Sequence, residues 1–320
     1  MMAQVIDLTA DTPPPRRQTR SATRAKSQQA PTSQPSTVSQ LPAPNVLPIP
    51  WALRSPPSRH DAFRRKRAWL QTHSVAVPAD LRRLSPDADP VAATLVFAQE
   101  EAGTAVCISP DGIVLTCAHC VAETPVDLDL GTLHSLLFAS GRAVSARTVA
   151  WDPARDLALL VIVEAEAEAE ESPRPFPFVR LATSAPKRGT RLLCVGHPGS
   201  EDLEAASPGR PTGYDTLVLS AGTFRGLAAG QDPQDNGDVG ALAHDCWTYW
   251  GHSGAGLVDG RSGELVGLHS SWDDETGLRR GVPWEAIDAF VREMERNQRD
   301  GKGVVDGWRW CVRGYAVAIL

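Results

Sequence analysis

Short runs of apolar residues, separated by turn-forming residues, dominate the chain from about residue 92 onward. The runs are rich in Val, Leu and Ile, and Gly, Pro and Asp stand between them, which is typical of β-strands. Pro110-Asp111-Gly112 lies between two runs and has the composition of a hairpin turn. We therefore predict an all-β fold, with strands at 93–97, 103–109, 113–117, 143–150, 157–163, 191–196, 216–221, 256–258 and 264–269.

Two segments carry a helical pattern instead. Residues 283–297 begin with a proline, which is favoured in a first helical turn, and their apolar positions recur at helical spacing. A second short helix is predicted at 60–71, although its basic cluster at 64–67 could equally act as a localisation signal. Residues 164–171 alternate Glu and Ala and are interpreted as a solvated acidic loop.

Charge and composition divide the chain into three parts. Residues 1–70 carry eleven Lys or Arg and three Asp or Glu, whereas the whole chain has a net charge of −6. A segment rich in Pro, Ser and Arg buries too little apolar surface to fold, so 1–90 is predicted to be a mostly disordered basic tail. The folded domain is placed at 91–300. A C-terminal extension follows at 301–320, and it is apolar enough to pack on the domain or on a partner.

Six cysteines form an even set, but the N-terminus lacks the features of a secretory signal. No apolar run approaches the roughly 18 residues of a membrane span. We therefore expect an intracellular protein, nuclear or cytoplasmic, whose cysteines are free thiols.

Three residues in separate segments have the chemistry of a nucleophilic site. His119 follows a predicted strand, Asp156 opens another, and Ser253 lies between Gly251 and Gly254. A serine hydroxyl becomes nucleophilic when a histidine takes its proton and a buried carboxylate orients that imidazole. The glycines allow a tight turn that aims the amides of Gly251 and Ser253 at a developing oxyanion.

The residues resemble the chymotrypsin-like serine proteases over 91–297, especially the trypsin-like branch with HtrA-type proteases and glutamyl endopeptidases. This resemblance implies two six-stranded β-barrels with the site between them, and a triad of His119 as general base, Asp156 as its orienting partner and Ser253 as nucleophile. The matching blocks are Gly103-Thr-Ala-Val, Leu115-Thr-Cys-Ala-His119, Asp156-Leu-Ala-Leu-Leu, Val195-Gly-His-Pro-Gly199, Gly251-His-Ser253-Gly, Val266-Gly-Leu-His269 and Val282-Pro283.

The chain also departs from that family. His252 stands before the serine, where secreted members have an Asp that pairs with a newly cut N-terminus, so activation by N-terminal cleavage is not expected. Secreted members pair the cysteine after the catalytic histidine with one upstream, but this chain has no cysteine at that upstream position, so Cys120 is expected to remain a thiol. Polar loops at 199–213 and 231–240 are placed near the site, as gates or as ordinary surface loops.

Four residues are predicted to bind the substrate side chain. Trp247 stands where trypsin has the Asp that binds basic residues, so a Lys or Arg preference is not expected. Thr248 and His269 resemble the residues of glutamyl endopeptidases, and both can donate hydrogen bonds to a carboxylate. With the adjacent Ser270 they indicate an acidic residue at P1, the substrate position before the scissile bond; the alternative is that His269 only packs in its strand.

The leading hypothesis is an intracellular serine endopeptidase that acts on protein or peptide substrates through an acyl-enzyme. The alternative is an inactive protease-fold binding module recruited through its tail. A lipase-type hydrolase is disfavoured because the histidine precedes the serine. No cofactor or metal is expected, since Cys117 and Cys120 are not followed by a second ligand pair at suitable spacing.

The N-terminus carries one further motif. Val5, Ile6, Asp7 and Leu8 resemble a SUMO-interacting motif, in which an apolar strand adds to the edge of the SUMO sheet. A partner of this kind, with the basic cluster, favours a nuclear location. The basic tail could also make weak electrostatic contact with nucleic acid.

Overall fold

The computed structural model describes residues 57–302 except 99–102, 168–175, 204, 208 and 275. It also gives the backbone of two short strands, β1 (Val5–Ile6) and β2 (Asn45–Leu47). Most of the predicted basic tail, including Asp7 and Leu8, and the extension beyond residue 302 lie outside the described residues.

Six antiparallel strands form the first barrel. They pair in the order β8-β5-β4-β3-β6-β7, and β7 pairs with β8 to close it. The strands are β3 (Thr94–Phe97), β4 (Thr104–Cys107), β5 (Ile113–Thr116), β6 (Leu133–Phe138), β7 (Ala143–Asp152) and β8 (Leu157–Glu166). The interior is almost wholly apolar because the inward-facing positions carry Val, Leu, Ile and Phe. Strand β2 pairs in parallel with β8.

The second barrel repeats this arrangement. Its strands pair in the order β10-β11-β14-β13-β12-β9, and β9 pairs with β10 to close it. The strands are β9 (Arg191–Gly196), β10 (Val218–Ala228), β11 (Leu242–His244), β12 (Gly256–Asp259), β13 (Leu265–Trp272) and β14 (Arg279–Pro283). Strand β1 pairs with β10. The prediction of an all-β fold with two six-stranded barrels is confirmed.

The sequence pattern did not predict three of the barrel strands, namely β6, β11 and β14. Each of these strands contains polar residues and therefore lacks the run of apolar residues from which the other strands were predicted. Buried His134 in β6 is hydrogen-bonded to Thr148 (3.2 Å), and buried Arg280 in β14 is paired with Asp273. These partners satisfy the polar groups inside the fold, and they lie on other segments.

The segment of alternating Glu and Ala at 164–171 is only partly a loop. Glu164 and Glu166 belong to β8, where Glu164 accepts a hydrogen bond from Ser145 (2.7 Å) and Glu166 pairs with Arg67. The prediction of a solvated loop is wrong for these residues, because their carboxylates have partners on neighbouring elements. The rest of the segment, from residue 168 onward, lies outside the described residues.

Two helices precede the barrels, α1 (Pro57–Thr72) and α2 (Ala79–Leu84). Phe63 of α1 and Leu81 of α2 belong to the same core cluster as barrel residues. Lys66 is only 2% exposed, and its ammonium group donates to the carbonyl of Phe97 (3.0 Å). The packed structure therefore begins well before Pro90, where the sequence placed the start of the domain.

A C-terminal helix, α3 (Trp284–Arg299), packs Ile287, Phe290 and Val291 against the second barrel, and it confirms the helix predicted at 283–297. Within the described part of the chain, no helix is both long enough and apolar enough to cross a membrane.

Replacing Phe63 by alanine tests whether α1 is part of the domain. Truncating a buried aromatic side chain costs roughly 3–5 kcal/mol of unfolding free energy. Urea denaturation of Phe63→Ala should show that loss, whereas Arg64→Ala, at an exposed position of the same helix, should stay within about 0.5 kcal/mol of the original. Equal stability of the two variants would mean that α1 contributes nothing to the core.

Candidate active site

His119 and Asp156 form a hydrogen-bonded pair at one end of the first barrel. His119 lies on a short 3-10 turn, Ala118–Cys120, that directly follows β5, and the indole of Trp151 donates to the carbonyl of Ala118 (3.0 Å). Asp156 opens β8 with a φ of 53°, a left-handed conformation that is unusual for a residue other than glycine. Its two carboxylate oxygens lie 2.9 and 3.1 Å from Nδ1 of His119.

Burial differs sharply between the two side chains. Asp156 is 4% exposed and His119 is 42% exposed, so the carboxylate is shielded while the imidazole reaches solvent. Burial lowers the pKa of His119, but the hydrogen bond and charge of Asp156, with the charge of Glu123, outweigh it and raise that pKa above its usual value. The pair is therefore arranged to stabilise an imidazolium.

Glycine is required on both sides of Ser253. Gly251 has a φ of 92° and Gly254 a φ of 82°. A Cβ atom at Gly251 would lie 2.6 Å from the carbonyl oxygen of His197, and one at Gly254 would lie 2.1 Å from that of Thr104. The turn thus depends on glycine for its backbone conformation and for its close approach to neighbouring chain.

Thr104 of β4 connects the turn around Ser253 to the first barrel through hydrogen bonds. Its amide donates to the carbonyl of Ser253 (2.7 Å) and its hydroxyl donates to that of Gly251 (2.9 Å). The carbonyl of Thr104 accepts the hydroxyl of Thr116 (2.7 Å), at the end of the strand that precedes His119. One residue therefore links the serine turn to the segment that carries the histidine.

The amides of Gly251 and Ser253 donate to no protein acceptor within the described residues. They are the two donors predicted for an oxyanion hole, and such donors must be free to bind a ligand. The hydroxyl of Ser253 donates to the carbonyl of Ser270 (3.1 Å) and makes no hydrogen bond to His119.

Ser253 and His119 open into one cavity of about 180 Å³. This volume is small beside the roughly 300–1,000 Å³ of sites for drug-sized ligands, and it suits a single side chain. The lining residues are His119, Tyr249, Trp250, Ser253, His269, Ser270, Ser271 and Trp272.

Only two of the four predicted specificity residues line this cavity. His269 and Ser270 do so, whereas Trp247 packs edge-on against Tyr214 and His252, and Thr248 is buried outside the lining. The sequence argument missed the aromatic and serine residues of the lining. A Trp beside the serine turn and another at the end of β13 were the available signals.

A buried cluster of three imidazoles lies behind the cavity. Nδ1 of His269 and Nε2 of His244 are 3.1 Å apart, and the rings of His252 and His269 are 6.3 Å apart. Burial lowers the pKa of all three, to about 3 for His244, to about 4 for His252 and well below the usual value for His269. The lowered pKa values favour the neutral form of all three at pH 7. Because an imidazole is neutral or cationic, His252 supplies no anion for an N-terminal ammonium. No pattern in the sequence indicated that His244 lies near the candidate site.

Arg279 places a positive charge beside this cluster. Its guanidinium carbon lies 5.6 Å from the ring centroid of Trp272, which lines the cavity. Among the residues that the structure describes, Arg279 has no ion-pair partner. Its charge contributes to the low pKa of His244, His252 and His269.

The polar loops at 199–213 and 231–240 both border the site. Residues of the first line a groove of about 550 Å³ that reaches Gly251. Residues of the second line a cavity of about 230 Å³ together with His119 and Asp156. A gating role for either loop stays a prediction.

Two thiols flank His119 on its turn. The five cysteines within the described residues are all unpaired, including Cys117 and Cys120. Burial raises the pKa of Cys117 well above its usual value and that of Cys120 to about 12, and the charge of Asp156 raises both further. Both groups are therefore protonated at neutral pH.

Residues 103–268 match the trypsin-like peptidase domain, which is more than half of the chain. The chain belongs to the trypsin-like peptidases. The predicted serine endopeptidase class is thereby confirmed at the level of the family.

This trypsin-like peptidase is also similar to several solved structures. The HtrA-type protease AlgW with a decapeptide is 21% identical, with a TM-score of 0.40, covering 58% of this chain and 50% of that chain. The serine endoprotease from Yersinia pestis is 23% identical, with a TM-score of 0.46 and coverages of 71% and 69%. An inactive form of Rv3671c from M. tuberculosis H37Rv is 18% identical, with a TM-score of 0.48 and coverages of 71% and 98%.

The peptidase chain thus spans half the length of the first of these structures. No curated protein sequence matches it.

The raised pKa of His119 can be measured by NMR titration of its ring protons. Asp156→Asn removes both the charge and the carboxylate acceptor, so the pKa should fall. Glu123→Gln removes only a more distant charge, so its effect should have the same sign and be smaller. An unchanged pKa in Asp156→Asn would contradict the pairing described above.

Proposed function

We propose that this trypsin-like peptidase cleaves peptide bonds through an acyl-enzyme formed on Ser253, with His119 and Asp156 completing the triad. The observation that carries the proposal is the buried carboxylate of Asp156, which accepts from Nδ1 of His119 while the same imidazole shares a cavity with Ser253. That bond holds Nε2 as the unprotonated nitrogen, the form that a general base needs.

The reaction begins when the hydroxyl of Ser253 leaves the carbonyl of Ser270 and turns toward His119. Nε2 takes the hydroxyl proton as Oγ attacks the peptide carbonyl, and the new imidazolium is stabilised by Asp156. The free amides of Gly251 and Ser253 stabilise the oxyanion. The imidazolium then protonates the leaving amine, and water hydrolyses the acyl-enzyme by the same path.

Labelling with a fluorophosphonate probe separates this proposal from an inactive binding module. The wild-type chain should be labelled and Ser253→Ala should not, with peptide hydrolysis reduced on the order of 10⁴-fold or more. Ser271→Ala is the matched control, because Ser271 lines the same cavity without a role in the triad. Folded wild-type protein that resists the probe would favour the binding module.

We further propose that the cavity accepts an acidic P1 side chain. His269 lines it and, as a neutral imidazole, can donate a hydrogen bond to a carboxylate. Arg279 lies next to it without an ion-pair partner among the described residues, and it supplies a positive potential. Among the described residues no carboxylate lines the cavity, so a negative substrate group meets no like charge from them.

This specificity is tested with peptides that differ only in Glu or Gln at P1. The wild type should have a higher kcat/KM for Glu, and His269→Leu should reduce the Glu-to-Gln ratio by roughly ten- to a hundredfold, the value of a hydrogen bond to a charged group. Arg279→Gln should reduce it as well. Arg225→Gln removes a charge that is already paired with Asp245, and should leave the ratio unchanged.

The intracellular location and the SUMO partner remain proposals from the sequence. Val5 and Ile6 adopt the extended conformation that strand addition requires, and here they pair with β10. Binding to SUMO in this way would exchange one β-pairing for another. Nuclear localisation rests on this motif and on the basic cluster at 64–67, and contact of the basic tail with nucleic acid rests on the charge of residues 1–70.

A further inference from the structure

Two members of the candidate triad and a neighbouring thiol form a group of three potential metal ligands of different chemistry. One ligand atom from each of Cys117, His119 and Asp156 lies within 4.8 Å of the others. Zinc bonds of about 2.0–2.3 Å place the ligand atoms of a tetrahedral site about 3.3–3.8 Å apart. The thiol, the imidazole and the carboxylate are therefore close enough to share one ion after small side-chain shifts.

His119 and Asp156 of this cluster border a cavity on one side, whereas Cys117 is fully buried. The cavity of about 230 Å³ is lined by His119 and Asp156, and also by Asn236, Gly237 and Asp238 of the 231–240 loop. The exposed carboxylate of Asp238 makes this opening attractive to a cation, and the cavity leaves room for water as a fourth ligand.

We propose that Cys117, His119 and Asp156 form a regulatory site for Zn²⁺, through Sγ, Nδ1 and a carboxylate oxygen. A mixed sulfur, nitrogen and oxygen set favours Zn²⁺ over Mg²⁺ or Ca²⁺, which prefer oxygen ligands. The sequence did not reveal this site because Asp156, the third ligand, lies 37 residues from His119.

Metal binding changes the protonation of the triad. The ion displaces the thiol proton of Cys117, which passes to solvent, and it takes the lone pair of Nδ1. The ring proton of His119 then moves to Nε2, which becomes a donor and can no longer accept the proton of Ser253. The ion therefore blocks the reaction. This inhibition rests on the proposed peptidase mechanism, whereas the metal binding does not.

Cobalt(II) spectroscopy tests the binding alone, because a thiolate ligand gives Co²⁺ an intense charge-transfer absorption. The metal-free full-length chain should show this absorption at one equivalent of Co²⁺, and added Zn²⁺ should abolish it. Cys117→Ala should lack the absorption. Cys120→Ala is the matched control and should retain it, because Cys120 does not belong to the cluster of Cys117, His119 and Asp156. Both thiols lie 3.5 Å from a carbonyl oxygen, that of Cys120 from Ser253 and that of Cys117 from His269.

Peptide hydrolysis tests the consequence. Zn²⁺ should inhibit the wild type and Cys120→Ala reversibly, with recovery on adding a chelator, whereas Cys117→Ala should stay active and need at least about tenfold more Zn²⁺. Cys117→Ser, which keeps the size of the buried side chain, replaces Cys117→Ala if circular dichroism shows that the latter is unfolded. Equal inhibition of wild type and the Cys117 variant, or a cobalt absorption that survives in the variant, would overturn the proposal. If the wild type hydrolyses no peptide, the cobalt spectra still decide the metal site.

Discussion

The hydrogen bonds of Thr104 are the constraint on which the candidate site depends. This fully buried residue of the first barrel binds the carbonyls of Ser253 and Gly251, which belong to the second barrel. It also accepts from Thr116, three residues before His119. Because Thr104 itself is fully buried, breaking any of its hydrogen bonds leaves a buried polar group of this residue unpaired, at a cost of about 1–3 kcal/mol. Ser253 and His119 are thus held in fixed relative positions although they come from separate barrels.

Burial controls the charge of the site as strongly as contact does. His119 keeps one face in solvent and gains Asp156, so its pKa rises, whereas His244, His252 and His269 are enclosed and their pKa values fall. Residues of one type thereby take two roles. A histidine with a raised pKa is suited to proton transfer, whereas histidines that stay neutral are suited to donating hydrogen bonds or to packing. The positive charge beside them comes from Arg279, which has no ion-pair partner among the described residues.

The sequence predicted those parts of the fold in which burial is apolar throughout. Strand β9 and helix α3 were found within two residues of their ends because each has a clear apolar pattern. Strand β14 was missed because its buried Arg280 needs the carboxylate of Asp273 to be tolerated. Helix α1 packs on the barrels, although the chain around it has the composition of a disordered tail. The sequence did not reveal this packing because composition is an average over a region, and only a few residues of this region, such as Phe63, are buried.

By itself, the sequence determined the all-β class, the order of His119, Asp156 and Ser253, and the glycine turn, because each strand, each of the three residues and the turn lies in a local pattern that is visible in the chain. Tertiary structure alone decided that Asp156 faces Nδ1 of His119, that Thr248 lies outside the cavity, and that Cys117 lies beside this hydrogen-bonded pair. The reason is geometric. Barrel closure fixes distances between side chains from remote strands, and a pattern along the chain contains no measure of those distances.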